Sequence, residues 1–168
     1  MRKPVLIYFI IIMSVFSCTN TDNKKVEVIK IEGLQHLLKE DHHKIHIINF
    51  WATWCKPCIK ELPQFIEASK QHPEISFSLV TLDFVEDLDT KVYPFLDKRG
   101  IGLRVLLMDE VDYNLWIDMV DPSWSGAIPA TLIIEPSTEH RIFLEKEFEN
   151  DELEKEIQKF INHKTAKK

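Results

Sequence analysis

The stretch Ile45-His46-Ile47-Ile48-Asn49-Phe50-Trp51-Ala52-Thr53-Trp54-Cys55-Lys56-Pro57-Cys58-Ile59-Lys60-Glu61-Leu62-Pro63 decides the fold. Ile45 to Trp51 is an apolar, β-branched run that reads as a buried strand, Ala52 to Trp54 as a short aromatic turn, and the residues from Pro57 onward as a helix. Two cysteines therefore stand where that helix starts. At a helix N-terminus the unpaired backbone N–H groups and the positive end of the dipole favour a thiolate over a thiol, and Lys56 adds a cation beside it. Such a cysteine attacks disulfides.

Zinc sites use the same Cys-x-x-Cys spacing, but a closed zinc site needs four ligands and the chain offers no second pair. Covalent c-type haem needs His directly after the second cysteine, where Ile59 stands. Redox chemistry is the reading the spacing favours, since Cys-x-x-Cys beside a βαβ pattern is a thioredoxin-like signature. Asn49-Phe50-Trp51-Ala52-Thr53-Trp54-Cys55-Lys56-Pro57-Cys58, followed by Glu61 and Pro63, resembles the thioredoxin-like TlpA/ResA class of membrane-anchored thiol-disulfide oxidoreductases. The resemblance is densest from Ile47 to Pro63, resumes at Ile128-Pro129 and extends loosely over everything from Val26 onward. It implies an α/β fold of thioredoxin type, with a mixed central sheet, helices on both faces and a βα insertion before a cis-proline.

A chain of 168 residues with 45% hydrophobic residues and ten phenylalanines has material for one domain and a short extension. Its net charge of −6 argues against nucleic acid as a partner, because tracking phosphates needs a basic surface. Met1-Arg2-Lys3-Pro4, an apolar run from Val5 to Phe16, and Ser17-Cys18 have the layout of a secretory signal; the run is too short for a membrane span of roughly twenty apolar residues. With Cys55 and Cys58 assigned to each other by the resemblance, Cys18 is left over. Val15-Phe16-Ser17-Cys18 resembles a bacterial lipobox, in which the cysteine is lipidated and becomes the mature N-terminus, although Phe16 is bulkier than usual there. The expected layout is a signal peptide over residues 1–18, a polar tether over 19–25, and a thioredoxin-like domain over 26–168. The product would be a lipid-anchored monomer in the cell envelope, facing the periplasm or the exterior.

Along the chain, Val26 to Ile31 reads as a short strand, and Leu34, Leu37 and Leu38 as a helix behind Gly33. A helix from Pro57 toward His72 is expected to bend at Pro63. Ile75 to Leu82 is a strand covered on both faces and parallel to the first. Thr90 to Arg99 reads as a helix stopped by Gly100, with Pro94 either bending it or setting its start. Leu103 to Leu107 is a further strand, and Tyr113, Trp116, Ile117 and Val120 share one helical face. Pro129 opens a strand over 127–134, which pairs with Arg141 to Phe148. Asn150 is expected to cap a last helix whose inner face carries Leu153, Ile157, Phe160 and Ile161.

Cys55, at the loop-helix junction, is the attacking thiol, and Cys58, one turn in, resolves the mixed disulfide. Glu61 follows Cys58 by three residues, so both can share a helix face; a carboxyl near a buried thiol would have a raised pKa and could pass protons, the role that the TlpA/ResA class assigns to the matching glutamate. Asn49 stands where ordinary thioredoxins carry a buried aspartate. The resemblance also places a cis Pro129 opposite the cysteines, with the Ile128 backbone pairing a substrate strand, while Trp54 and Trp124 would form an apolar docking surface and Trp51 would pack in the core. His42, His43 and His46 lack ligand spacing, so no metal site and no cofactor beyond the redox-active disulfide is expected. The partners would be protein thiols and disulfides, together with a membrane reductant. The alternative from another class is a thiolate-based, copper-chaperone-like metal-handling module, and a peroxidase is a weaker third.

Overall fold

The computed structural model describes residues 26–40, 44–138 and 140–166. Cys18, the polar stretch 19–25, His42 and His43 lie outside the described residues. Among the described residues, six strands and five α-helices follow one another as β1 (Glu27–Ile29), α1 (Ile31–Lys39), β2 (His46–Trp51), α2 (Lys56–Gln71), β3 (Ser76–Thr81), α3 (Tyr93–Arg99), β4 (Arg104–Met108), α4 (Ile117–Val120), β5 (Ala130–Glu135), β6 (His140–Leu144) and α5 (Glu152–Ala166). They build one sheet in the order β1-β4-β3-β2-β5-β6. The first four of these strands run parallel, while β5 is antiparallel to β2, and β6 to β5. The expected βα insertion, a strand at 103–107 followed by a helical stretch from Tyr113, corresponds to β4 and α4, with β4 seated between β1 and β3.

β2 lies at the centre of the sheet and is buried from end to end. Successive side chains of a strand point to opposite faces. Ile48 and Phe50 accordingly pack with α1, Trp116, Val120 and Trp124 on one side. On the other side Ile47 meets Phe65, Ile157 and Phe160, and Trp51 meets Cys58, Leu62 and Leu96. Asn49, between Ile47 and Trp51 in this alternation, is thereby aimed at α2. Its burial there is what later requires a polar partner.

Several local expectations change. Gly33 lies inside α1, where a Cβ would come within 2.7 Å of the Ile29 side chain, so the glycine lets the helix close on β1. Pro63, where a bend was expected, lies within α2 and does not end it; its missing N–H removes one internal hydrogen bond and the helix runs on to Gln71. Pro94 sets the start of α3 behind a single wide turn over Leu88–Val92, and Gly100 ends it at φ 60°, a left-handed conformation that only glycine adopts without strain. The Tyr113–Val120 stretch is a 3₁₀ turn followed by the short α4, with Tyr113 exposed and Trp116 and Val120 buried. Asn150 does not cap α5: it takes φ 50° one residue too early, and the Glu152 carboxylate instead reaches back to accept the Glu149 N–H at 3.0 Å. Among the described residues no helix is long and apolar enough to cross a membrane.

Candidate active site

At the C-terminal end of β2 the chain turns through Ala52–Trp54 into α2. Cys55 is the N-cap of that helix, and its sulfur receives the Cys58 N–H at 3.3 Å. Cys55 and Cys58 are joined as a disulfide with Cα atoms 5.3 Å apart. Cys55 keeps 5% of its surface exposed and Cys58 none, so an incoming group can reach only the first sulfur. The Ile128–Pro129 peptide bond is cis. Its loop brings the Ile128 carbonyl oxygen to 3.8 Å from Cys55 Sγ, across 73 residues of sequence.

Glu61 is fully buried three residues beyond Cys58, on the same side of α2. Its carboxyl accepts from Asn49 Nδ2 on one oxygen and from the Phe148 backbone N–H on the other, each at 2.8 Å. The same Asn49 amide donates to Thr131 Oγ1 at 3.0 Å, directly across the β2–β5 ladder. Burial pushes the Glu61 pKa up to about 7, against the two hydrogen bonds, which favour its ionised form, and with a small further push from Glu147. The group therefore changes protonation near neutrality, under the disulfide.

Two expected docking residues separate. Trp54 is 61% exposed beside Cys55, as a docking residue would be. Trp124 is 4% exposed and packs among Phe50, Trp116 and Phe143, so it belongs to the core and not to a surface ring. Its indole N–H donates to the Ala127 carbonyl at 2.8 Å, which props the loop leading to Ile128 and Pro129. The loop position of Trp124 suggests exposure, but its ring contacts with Phe50, Trp116 and Phe143 bury it. Trp51 is fully buried. His46 bonds Ser78 Oγ across β2 and β3 at 2.9 Å.

The sequence reading missed Asp83. This buried residue follows β3, and its carboxylate accepts from the Thr53 N–H at 2.9 Å, Thr53 Oγ1 at 2.6 Å and Thr81 Oγ1 at 2.5 Å. It clamps the turn that presents Cys55. The available signal was an acid placed immediately after a buried parallel strand, at the sheet edge where α/β proteins form their sites. Phe148 was read only as strand, yet it follows β6 and supplies a backbone donor to Glu61.

The sequence profile of the AhpC/TSA family matches residues 12–139. Among curated proteins, the chain is 30% identical over 92 residues to the thiol-disulfide oxidoreductase ResA of Bacillus anthracis, covering 55% of this chain and 47% of that one. It is 51% identical over 63 residues to the sporulation thiol-disulfide oxidoreductase A of Bacillus subtilis (strain 168), covering 36% and 38%. The chain spans about half the length of the first curated relatives it matches. Among solved structures it superposes on a thioredoxin-related protein from Neisseria meningitidis serogroup B with a TM-score of 0.58, at 20% identity over 71% of this chain and 87% of the other. The dsbF protein of MTB gives a TM-score of 0.55, at 24% identity over 70% and 81%. Those likenesses establish a thioredoxin-like fold, and with a family profile matched over most of its length the chain belongs to the AhpC/TSA family.

Proposed function

We propose that this protein is a thiol-disulfide oxidoreductase working as a reductase of exported protein disulfides, held at the membrane through lipidated Cys18 and fed electrons by a membrane reductant. The observation that carries the chemistry is the Cys55–Cys58 disulfide at the start of α2, with its accessible sulfur facing the Ile128 backbone. In the reduced protein the Cys55 thiolate attacks one sulfur of a substrate disulfide, and the other substrate sulfur leaves as a thiolate that takes up a proton. Cys58 gives its proton toward Glu61 and attacks Cys55 Sγ; this re-forms the Cys55–Cys58 bond and releases the second substrate thiol. Two electrons have then passed to the substrate, and the membrane reductant restores the dithiol. The relatives named as thiol-disulfide oxidoreductases support this reading. The apolar run before Cys18 supports export and anchoring.

Cys55→Ser removes the attacking sulfur, so cleavage of a model protein disulfide by the reduced protein should fall to background. Undiminished cleavage would sink the mechanism. Cys58→Ser should trap mixed disulfides in cells and identify the substrates. Cys18→Ala should move the protein from the membrane to the soluble fraction, because a diacylated cysteine supplies the two chains that stable anchoring needs. Retention of that variant on membranes would assign the anchor to the apolar N-terminus itself.

A further inference from the structure

The segment after β3 is tied to the active-site turn by Asp83, the segment after β4 faces the first across a groove, and both differ in composition from the rest of the chain. Residues 82–92 and 109–121 hold nine acidic residues and one lysine, a charge of −8 where the whole chain carries −6, so all other residues together sum to +2. The same region holds the exposed apolar side chains. Trp54 on the active-site turn and Phe84, Val85, Val111, Tyr113 and Leu115 on the two loops are exposed; among the described residues Val28 is the one other large apolar side chain so exposed. The hydrogen bonds from Thr53 to Asp83 set Trp54's turn beside Phe84's loop. Between the two loops runs a groove of about 280 Å³, walled by Phe84, Val85, Glu86, Glu110, Val111 and Tyr113.

Exposed apolar side chains gathered on one face mark an interaction site, and an acidic border selects the charge of what enters. Lys91 pairs with Asp87 at 2.9 Å, Lys30 with Asp109 at 3.8 Å and Arg141 with Asp121 at 3.6 Å, and Asp83 is buried, whereas Glu86, Glu110 and Asp112 make no ion pair among the described residues. Glu110 and Asp112 instead accept backbone N–H groups of their own loop at 3.1 Å, which fixes its shape and leaves the negative charge facing outward. Anionic lipid surfaces and anionic small thiols are disfavoured by this border.

We infer that the groove between the β3 and β4 loops docks an extended polypeptide segment of the substrate, carrying basic and apolar side chains next to the cysteine that Cys55 attacks. This rests on the proposed oxidoreductase activity and names its substrate class. The charge selects cationic segments as they approach, and Trp54, Phe84 and Tyr113 take up the apolar side chains.

The test uses the reduced full chain and three probes: a disulfide peptide flanked by Lys and Leu, the same peptide with Glu for Lys, and neutral 2-hydroxyethyl disulfide. The expected kcat/KM for the Lys peptide exceeds that for the Glu peptide by about tenfold at low salt, and the gap shrinks as salt screens it. In Glu86→Gln/Glu110→Gln/Asp112→Asn, whose amides keep the loop's acceptors, the gap closes while the rate with 2-hydroxyethyl disulfide stays at the wild-type value. Phe84→Ser raises KM for both peptides and leaves the small disulfide unaffected. Equal rates for the two wild-type peptides, with the small disulfide turned over, overturn the groove and spare the oxidoreductase reading. Failure to turn over any disulfide overturns both. A concentration-dependent dimer that the triple variant abolishes assigns the groove to a second copy and overturns the inference.

Discussion

Asp83 and Glu61 are buried acids on either side of the active-site turn, and their surroundings differ in kind. Asp83 meets one N–H and two hydroxyls within 2.9 Å, two of these donors coming from the turn itself. Glu61 meets two N–H donors, one from β2 and one from the segment after β6, in an apolar setting that holds its pKa at about 7. The one acid ties a loop to a strand. The other has too few donors to offset its burial and is left free to gain or lose a proton. Burial alone does not say which of the two a carboxyl becomes; the number and origin of its donors does.

Breaking the Asp83 side of the comparison gives the largest effect. Asp83→Ala leaves the half-buried Thr53 N–H and hydroxyl and the buried Thr81 hydroxyl without this acceptor, and unmet buried donors cost about 1–3 kcal/mol each. We expect unfolding free energy to drop by about 4 kcal/mol in urea titration, allowing for partial rescue by water. A loss under about 1 kcal/mol would mean that the turn is held by something else.

On the Glu61 side the effect is smaller and depends on pH. With a folded pKa of about 7 against the ordinary 4.5, Glu61 binds its proton more tightly in the folded state than in the unfolded one. Its contribution to stability is fully present below pH 4.5 and is lost as pH rises through 7, an overall change of about 3 kcal/mol. Glu61→Gln does not titrate, so the variant should gain on the wild type by about that amount between pH 4.5 and 8, measured by urea unfolding at both ends. Parallel pH profiles would show a carboxyl that is already solvated. The same substitution removes a charge from beside Cys58, so alkylation of the reduced pair should titrate at lower pH and disulfide exchange at neutral pH should slow.

How much of this was legible follows the range of the interactions. The apolar run of β2, the cysteines at a helix start and the i,i+3 spacing of Glu61 are local, and a short window of sequence contains them. Asp83 and Thr53 are 30 residues apart and meet only because β2 and β3 are parallel neighbours whose ends coincide, as Leu82 N–H to Trp51 O at 2.8 Å shows. Phe148 reaches Glu61 across 87 residues. Trp124 was misjudged for the same reason, since its partners Phe50, Trp116 and Phe143 come from three separate elements. Asn150 stands one residue ahead of the cap position of α5 and takes a left-handed φ of 50°, a tertiary outcome that the local pattern does not encode.

The smallest effect isolates the donor count itself. Asn49→Ala removes the amide that meets one Glu61 oxygen and leaves the Phe148 N–H as the remaining partner of that carboxyl. A hydrogen bond to a charged group is worth about 1.5–3 kcal/mol, and one pKa unit corresponds to about 1.4 kcal/mol. The Asn49 bond favours the ionised form, so its loss should move the Glu61 titration upward from about 7 by about one unit, away from the ordinary carboxyl value. The shift is readable from the carboxyl carbon of selectively labelled Glu61 followed against pH by NMR in the oxidised protein, where the cysteines do not titrate. Thr131 and the Ala130 carbonyl also lose a donor, which lowers stability at every pH but does not move this resonance. An unchanged titration would mean that desolvation alone sets the Glu61 value and that its Asn49 donor contributes nothing to it.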